Sequence, residues 1–285
     1  MRTATFLVLA SLLAGCAGND VSATTSTPRN TTSTSSVLGS TLPPVVECPG
    51  VGEFGEGRSI AEIDGTGSDT RSLGRISWET SDQCENFHFV FETSEGAPAT
   101  SVPDIRIDHL ESFQVVRINM DIDSAVITDQ LVETNLVERL FVVRSLSGGM
   151  FVDLHLAEPA AVRASSSSSP ARLEVELRPG FVPFSGESAI EDRVVLTSPT
   201  SGSEVGASTQ FLGYSRTFEA NVLAIATQDG AVVAETTATA ADYLETWGEY
   251  RLQLGLPSGP VSVFIGETSP EDGSLDGITI DLSVS

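Results

Sequence analysis

Apolar and polar residues alternate with a period of two over much of the chain beyond residue 47. Phe87, Phe89 and Phe91 alternate with Asn86, His88 and Glu92. Val116, Ile118, Met120 and Ile122 alternate with Arg117, Asn119, Asp121 and Asp123, and Leu173, Val175 and Leu177 with Arg172, Glu174, Glu176 and Arg178. Successive side chains of a strand point to opposite faces, so this pattern predicts strands with one buried and one wet face. Further on, Tyr250, Leu252 and Leu254 alternate with Arg251 and Gln253, and Ile278, Ile280, Leu282 and Val284 with Thr279, Asp281 and Ser283. Turn signals fall between them at Asp229-Gly230, Pro257-Ser258-Gly259-Pro260 and Asp272-Gly273, a spacing that predicts a β-sandwich. One segment departs from the pattern: Thr128 to Glu133 reads as a short helix capped by Thr128.

Punctuation divides this mainly β chain. Pro179-Gly180-Phe181-Val182-Pro183-Phe184-Ser185-Gly186 is too rich in proline and glycine for a strand interior and reads as a connector. Two β-sandwich-like domains are expected, over residues 47–182 and 193–285. Residues 17–46 are dominated by serine and threonine, have no hydrophobic periodicity, and are expected to form a disordered linker. Thirty such residues reach on the order of 30 Å as a coil and ~100 Å when stretched.

The first residues carry a charged start at Arg2, an apolar stretch from Ala4 to Leu13, and the ending Leu13-Ala14-Gly15-Cys16. About ten apolar residues fall short of the ~20 that span a bilayer as a helix, so residues 1–15 read as a removable signal peptide. The ending resembles the bacterial lipobox, which implies lipidation of Cys16, cleavage before it, and a membrane partner engaged through the lipid. Two acyl chains would hold the chain stably at the outer face of the cell membrane, where one would not.

With Cys16 committed to lipid, Cys48 and Cys84 remain as an even pair in an exported chain, which predicts a disulfide. Two buried free thiols are the alternative. The formal net charge of −24 repels nucleic acid and anionic head groups, so no nucleic-acid partner is expected. The charge serves solubility, or a high-salt habitat, or attraction of cationic partners.

Two family resemblances add to this. The run Leu196-Thr197-Ser198-Pro199-Thr200-Ser201-Gly202, then Phe211-Leu212-Gly213-Tyr214 and Phe218-Glu219-Ala220-Asn221-Val222, resembles the immunoglobulin-like domain of bacterial spore germination proteins. Asp229-Gly230, Trp247-Gly248 and the Ser269–Gly273 turn follow in family order, while Gly206-Ala207-Ser208 replaces the usual Ser-Pro. This resemblance implies an immunoglobulin-like fold over 193–285 and binding or assembly outside the cell. The segment Cys84-Glu85-Asn86-Phe87-His88-Phe89 and the strand Leu173-Glu174-Val175-Glu176-Leu177 more loosely resemble the AMIN-like domain of actinobacterial lipoproteins, which implies envelope localisation for residues 47–182.

Candidate chemistry is sparse. His88, His109 and His155 sit in no catalytic or metal-binding spacing. Asp153 and His155 share one strand face, the minimum for a base and its orienter, but ordinary alternation on a wet face explains them without chemistry. No Gly-x-Ser-x-Gly, Ser-x-x-Lys or phosphate-binding glycine loop accompanies them, so neither a catalytic residue nor a cofactor is expected. The acidic turns at 269–277 and at Asp121-Ile122-Asp123 offer oxygen atoms but not the EF-hand spacing, so no metal site is assigned. Trp247 and Tyr250 could form a platform for a glycan, although aromatics on apolar faces belong in a core. The expected function is therefore a non-enzymatic envelope lipoprotein that binds or organises peptidoglycan, polysaccharide or protein partners, linked to sporulation, germination or wall maintenance. A carrier lipoprotein with an apolar cavity, or an envelope hydrolase using Asp153 and His155, are the alternatives.

Overall fold

Alternating segments become strands because each needs a neighbour for its backbone groups and a second layer for its apolar face. The computed structural model describes residues 48–285 except 49, 51, 82 and 111, within the compact unit Val46–Ser285. The expected signal peptide, the expected lipidation at Cys16 and the expected serine- and threonine-rich linker all fall outside the described residues.

The first half holds eleven strands: β1 (Ser59–Ile63), β2 (Ser72–Thr80), β3 (Glu85–Glu92), β4 (Ile105–Leu110), β5 (Val115–Met120), β6 (Ser124–Ala125), β7 (Asp129–Leu131), β8 (Val137–Arg144), β9 (Met150–Leu156), β10 (Ala160–Ser167) and β11 (Arg172–Pro179). One sheet runs β10-β11-β3-β2-β6, and the run β1-β4-β5-β9-β8 lies against it. Between them Phe87, Phe89 and Phe91 of β3 are fully buried against Ile107, Ile118, Val152 and Leu154. Each such phenylalanine contributes about 2–3 kcal/mol by leaving water. A disulfide joins Cys48 to Cys84, with Cα atoms 5.8 Å apart, and so fastens the entry of the chain beside β3.

The segment from Thr128 to Glu133 is not helical. Residues 129–131 form β7, which pairs antiparallel with β8 in the register Asp129↔Phe141 and Leu131↔Arg139. One turn of helix is too short to nucleate alone, whereas the edge of β8 offers backbone partners already in place. The Thr128 hydroxyl donates to the Asp129 carboxylate at 3.1 Å rather than capping a helix.

The second half is a sandwich of the immunoglobulin type, antiparallel except where β14 runs parallel to β20, built from β12 (Ala189–Glu191), β13 (Val194–Ser198), β14 (Glu204–Val205), β15 (Ser208–Ser215), β16 (Asn221–Gln228), β17 (Ala231–Thr239), β18 (Trp247–Gly255), β19 (Gly259–Thr268) and β20 (Leu275–Val284). A short 3-10 turn, Phe218–Ala220, precedes β16. One sheet runs β14-β20-β19-β16-β17; the other holds β18, β15, β13 and β12. Their inner faces meet in a core of Val222, Val263, Ile265 and Ile280 against Leu196, Phe211, Tyr250 and Leu252.

The two halves share a sheet. β18 pairs parallel with β8 through Trp247↔Val143 and Gly248↔Arg144, which extends β1-β4-β5-β9-β8 into β18-β15-β13-β12. Gly248 is glycine because a Cβ there would collide with the backbone of Ala241 and Asp242, the segment of the second half that lies beside β18 next to this pairing. The Thr246 hydroxyl donates to the Val142 carbonyl at 2.5 Å, and Arg144 pairs with Asp242 at 3.0 Å.

Candidate functional site

The junction holds a cluster of buried polar side chains, while others such as Glu85, His109 and Glu176 are buried elsewhere in the first half. Strand β9 lies between β5 and β8 and is buried along its whole length. Its two faces differ: Val152, Leu154 and Leu156 enter the first core, while Phe151, Asp153 and His155 face the second half. The expectation of a wet face for Asp153 and His155 is therefore incorrect. Their relative exposures are 0 % and 5 %, because Tyr214 of β15 and Trp247 of β18 close over them with Phe141 and Phe151.

A buried carboxylate must be paired, and Asp153 is. Arg117, its register partner on β5, reaches it bidentately, Nε to Oδ1 at 2.8 Å and Nη2 to Oδ2 at 2.7 Å. Burial pulls the Arg117 guanidinium down, but the Asp153 charge and hydrogen bonds more than offset that and hold it above its ordinary value. The guanidinium also lies 3.9 Å from the centre of the Phe151 ring. His155 Nε2 and the Tyr214 hydroxyl lie 2.5 Å apart. Burial, with the Arg117 and Arg139 charges adding to it and Asp153 opposing, lowers His155 to about 4, so the ring is neutral at pH 7. Burial and the Asp153 charge push the Tyr214 phenol well above its ordinary value.

Of these pairs, Arg117–Asp153 lies within the first half and His155–Tyr214 crosses to the second. Both oxygens of Asp153 are taken by Arg117, and the hydrogen-bond partner of His155 is Tyr214. Trp247 and Tyr250 are buried rather than displayed. Trp247 meets the Phe141 ring edge-on at 4.9 Å, and the Tyr250 hydroxyl donates to the Val195 carbonyl at 3.0 Å. His88 faces Glu174 at 3.6 Å, and His109 is buried with both ring nitrogens unpartnered. In the 269–277 turn the Asp272 carboxylate accepts from the Ser274 hydroxyl and backbone N–H, which lower its pKa. Among the described residues, a group close enough for a metal is Cys48, Cys84 and Glu176, but its two sulfurs are already joined to each other.

Three open grooves surround the junction. One, of about 700 Å3, crosses the ends of β4, β5 and β9 and includes Asp64, Asp104, Arg106 and Asp121. A second, of about 360 Å3, is lined by Arg106, Arg117, Phe151, Glu249 and Arg251. The third, of about 540 Å3, draws on both halves: Asp129 and Arg139 from the first, Arg193, Arg216, Phe218, Tyr243 and Trp247 from the second. None is an enclosed apolar chamber.

Arg117, Arg139, Tyr214, Arg193 and Arg216 are not marked as site residues by the sequence alone: Arg117 reads there as a wet-face strand residue and Tyr214 as part of the family resemblance. A signal was present in Leu140-Phe141-Val142-Val143, an uninterrupted apolar run of the kind that marks a strand buried on both faces. The runs Val194-Val195-Leu196 and Phe151-Val152 carry the same mark.

Residues 193–274 match the family model described as the immunoglobulin-like domain of bacterial spore germination. No curated protein and no solved structure matches the chain.

Proposed function

We propose that this chain is a non-enzymatic lipoprotein, held through Cys16 at the outer face of the cell membrane, that binds or organises envelope components during germination or wall maintenance. The match of residues 193–274 to the germination domain carries this reading. The junction supports it. Its buried acid and histidine are consumed in structural pairs, and the grooves beside it are open and lined by charged side chains, which suits a polymer or a surface better than an apolar cargo.

Two measurements test it. The purified full chain should sediment with isolated peptidoglycan or wall polysaccharide, and failure to sediment with either would remove the reading. In the native host the parent should partition with membranes into detergent and Cys16→Ala should not; equal partitioning would overturn the anchor.

A further inference from the structure

We propose that the 540 Å3 groove at the junction binds a hydroxyl-rich monocarboxylate of the acidic-sugar class. Every cation among the side chains of this chain is an arginine, since the sequence contains no lysine. Six of the thirteen arginines among the described residues line the two smaller grooves, in a molecule of net charge −24. Scarce cations are thus gathered where the two halves meet.

In the 540 Å3 groove those cations are incompletely used. Arg139 gives Nη2 to Asp129 at 3.2 Å, yet its Nε is buried with no acceptor. Such a donor costs free energy until something accepts from it. Arg193 reaches Glu267 at 3.4 Å, a long contact, and its side chain is half exposed. Arg216 has no ion pair among the described residues. Asp129 is committed, accepting from Trp247 Nε1 at 3.2 Å as well as from Arg139.

The other lining groups select the class of anion. Guanidinium forks match a carboxylate in two parallel hydrogen bonds. Three arginines stand against Asp129, Asp192 and the Glu267 that Arg193 reaches, so the charges balance and Arg216 is the cation left to take one negative charge, whereas a dianion such as phosphate would add to the repulsion from the aspartates. Asp192, which is exposed, offers acceptors for sugar hydroxyls. Phe218, 53 % exposed, and Tyr243 present flat apolar faces for the C–H side of a sugar ring. Since Arg139 comes from one half and Arg193 and Arg216 from the other, the site exists only in the joined chain. This inference rests on the envelope-binding reading for the source of its ligand.

Trp247 lines the groove and is one of two tryptophans, so Trp78→Phe in the full chain leaves it as the sole reporter. Titration with glucuronate should give a saturable change in its fluorescence. N-acetylglucosamine and inorganic phosphate at the same concentrations should not. Arg216→Ala should weaken glucuronate binding about tenfold, as expected for loss of a charged hydrogen bond. Arg172→Ala, on the exposed end of β11, should leave it unchanged, with near-ultraviolet circular dichroism verifying the fold of each variant. No saturable response to glucuronate, an equal response to phosphate, or unchanged affinity in Arg216→Ala would each overturn the proposal. Sedimentation with peptidoglycan and wall polysaccharide, run on the same samples, separates the two readings. A chain that sediments but ignores glucuronate loses this site and keeps its envelope role. A chain that binds glucuronate through Arg216 but sediments with neither polymer keeps the site and loses the role.

Discussion

Asp153 and Arg117 show how a charge can sit inside a sheet junction. Each is tolerable because the other is there, so removing one leaves the other buried and unpaired. Asp153→Ala should destabilise the fold by about 3–5 kcal/mol in urea denaturation, and the double variant with Arg117→Met should cost less than the sum of the two. A double variant that is strictly additive would show that the pair is not coupled. His155 makes a second prediction. Its folded pKa of about 4 lies below the ordinary value of 6.5, so the unfolded chain binds a proton that the folded chain does not. Stability contributed by the neutral ring is complete above pH 6.5 and is lost as pH falls toward 4, by up to roughly 3 kcal/mol. His155→Gln should flatten the stability profile in that window. A parent profile already flat between pH 4 and 6.5 would refute the assignment.

At the scale of elements, the junction depends on β18 approaching β8 closely enough to pair. Gly248, one of the two paired residues of β18, lets the 241–242 segment of its own half pack beside this pairing, because any side chain there meets the backbone of Ala241 and Asp242. Gly248→Val should lower the thermal midpoint and expose Trp247 to quencher, while Gly255→Val, at the far end of the same strand where a Cβ meets nothing, should do neither. The strands themselves were largely legible in the sequence. Phe87, Phe89 and Phe91, or Ile278, Ile280 and Leu282, state by simple alternation which face is inside. Alternation, however, reports only contrast between two faces, and it assigns a polar face to water by default. For Asp153 and His155 that default fails, because what covers them arrives from residues 214 and 247, far along the chain. The two partners that make such burial tolerable, Arg117 and Tyr214, are remote in sequence and read locally as ordinary surface and core residues. β7 was misread for a related reason: three residues at an edge take their conformation from β8 and not from their own propensities.

Over the whole molecule, a net charge of −24 makes the folded state repel itself. Raising sodium chloride from about 10 mM to about 1 M shortens the Debye length from roughly 30 Å to 3 Å, so the thermal midpoint should rise with salt. A midpoint that falls would show that attractive pairs outweigh the excess of carboxylates. The disulfide acts at the same scale. It closes a loop of 36 residues, and Cys48→Ser with Cys84→Ser should cost roughly 3–4 kcal/mol of stability on the chain-entropy model.

Because β18 completes a sheet begun by β8, neither half has a finished surface of its own. A cut between residues 180 and 188 would bare Phe141 and Phe151 on one piece and Tyr214 and Trp247 on the other. Two rungs of parallel pairing tie the halves, so a fusion carrying only one of them would present an unpaired, adhesive sheet edge to its new neighbours.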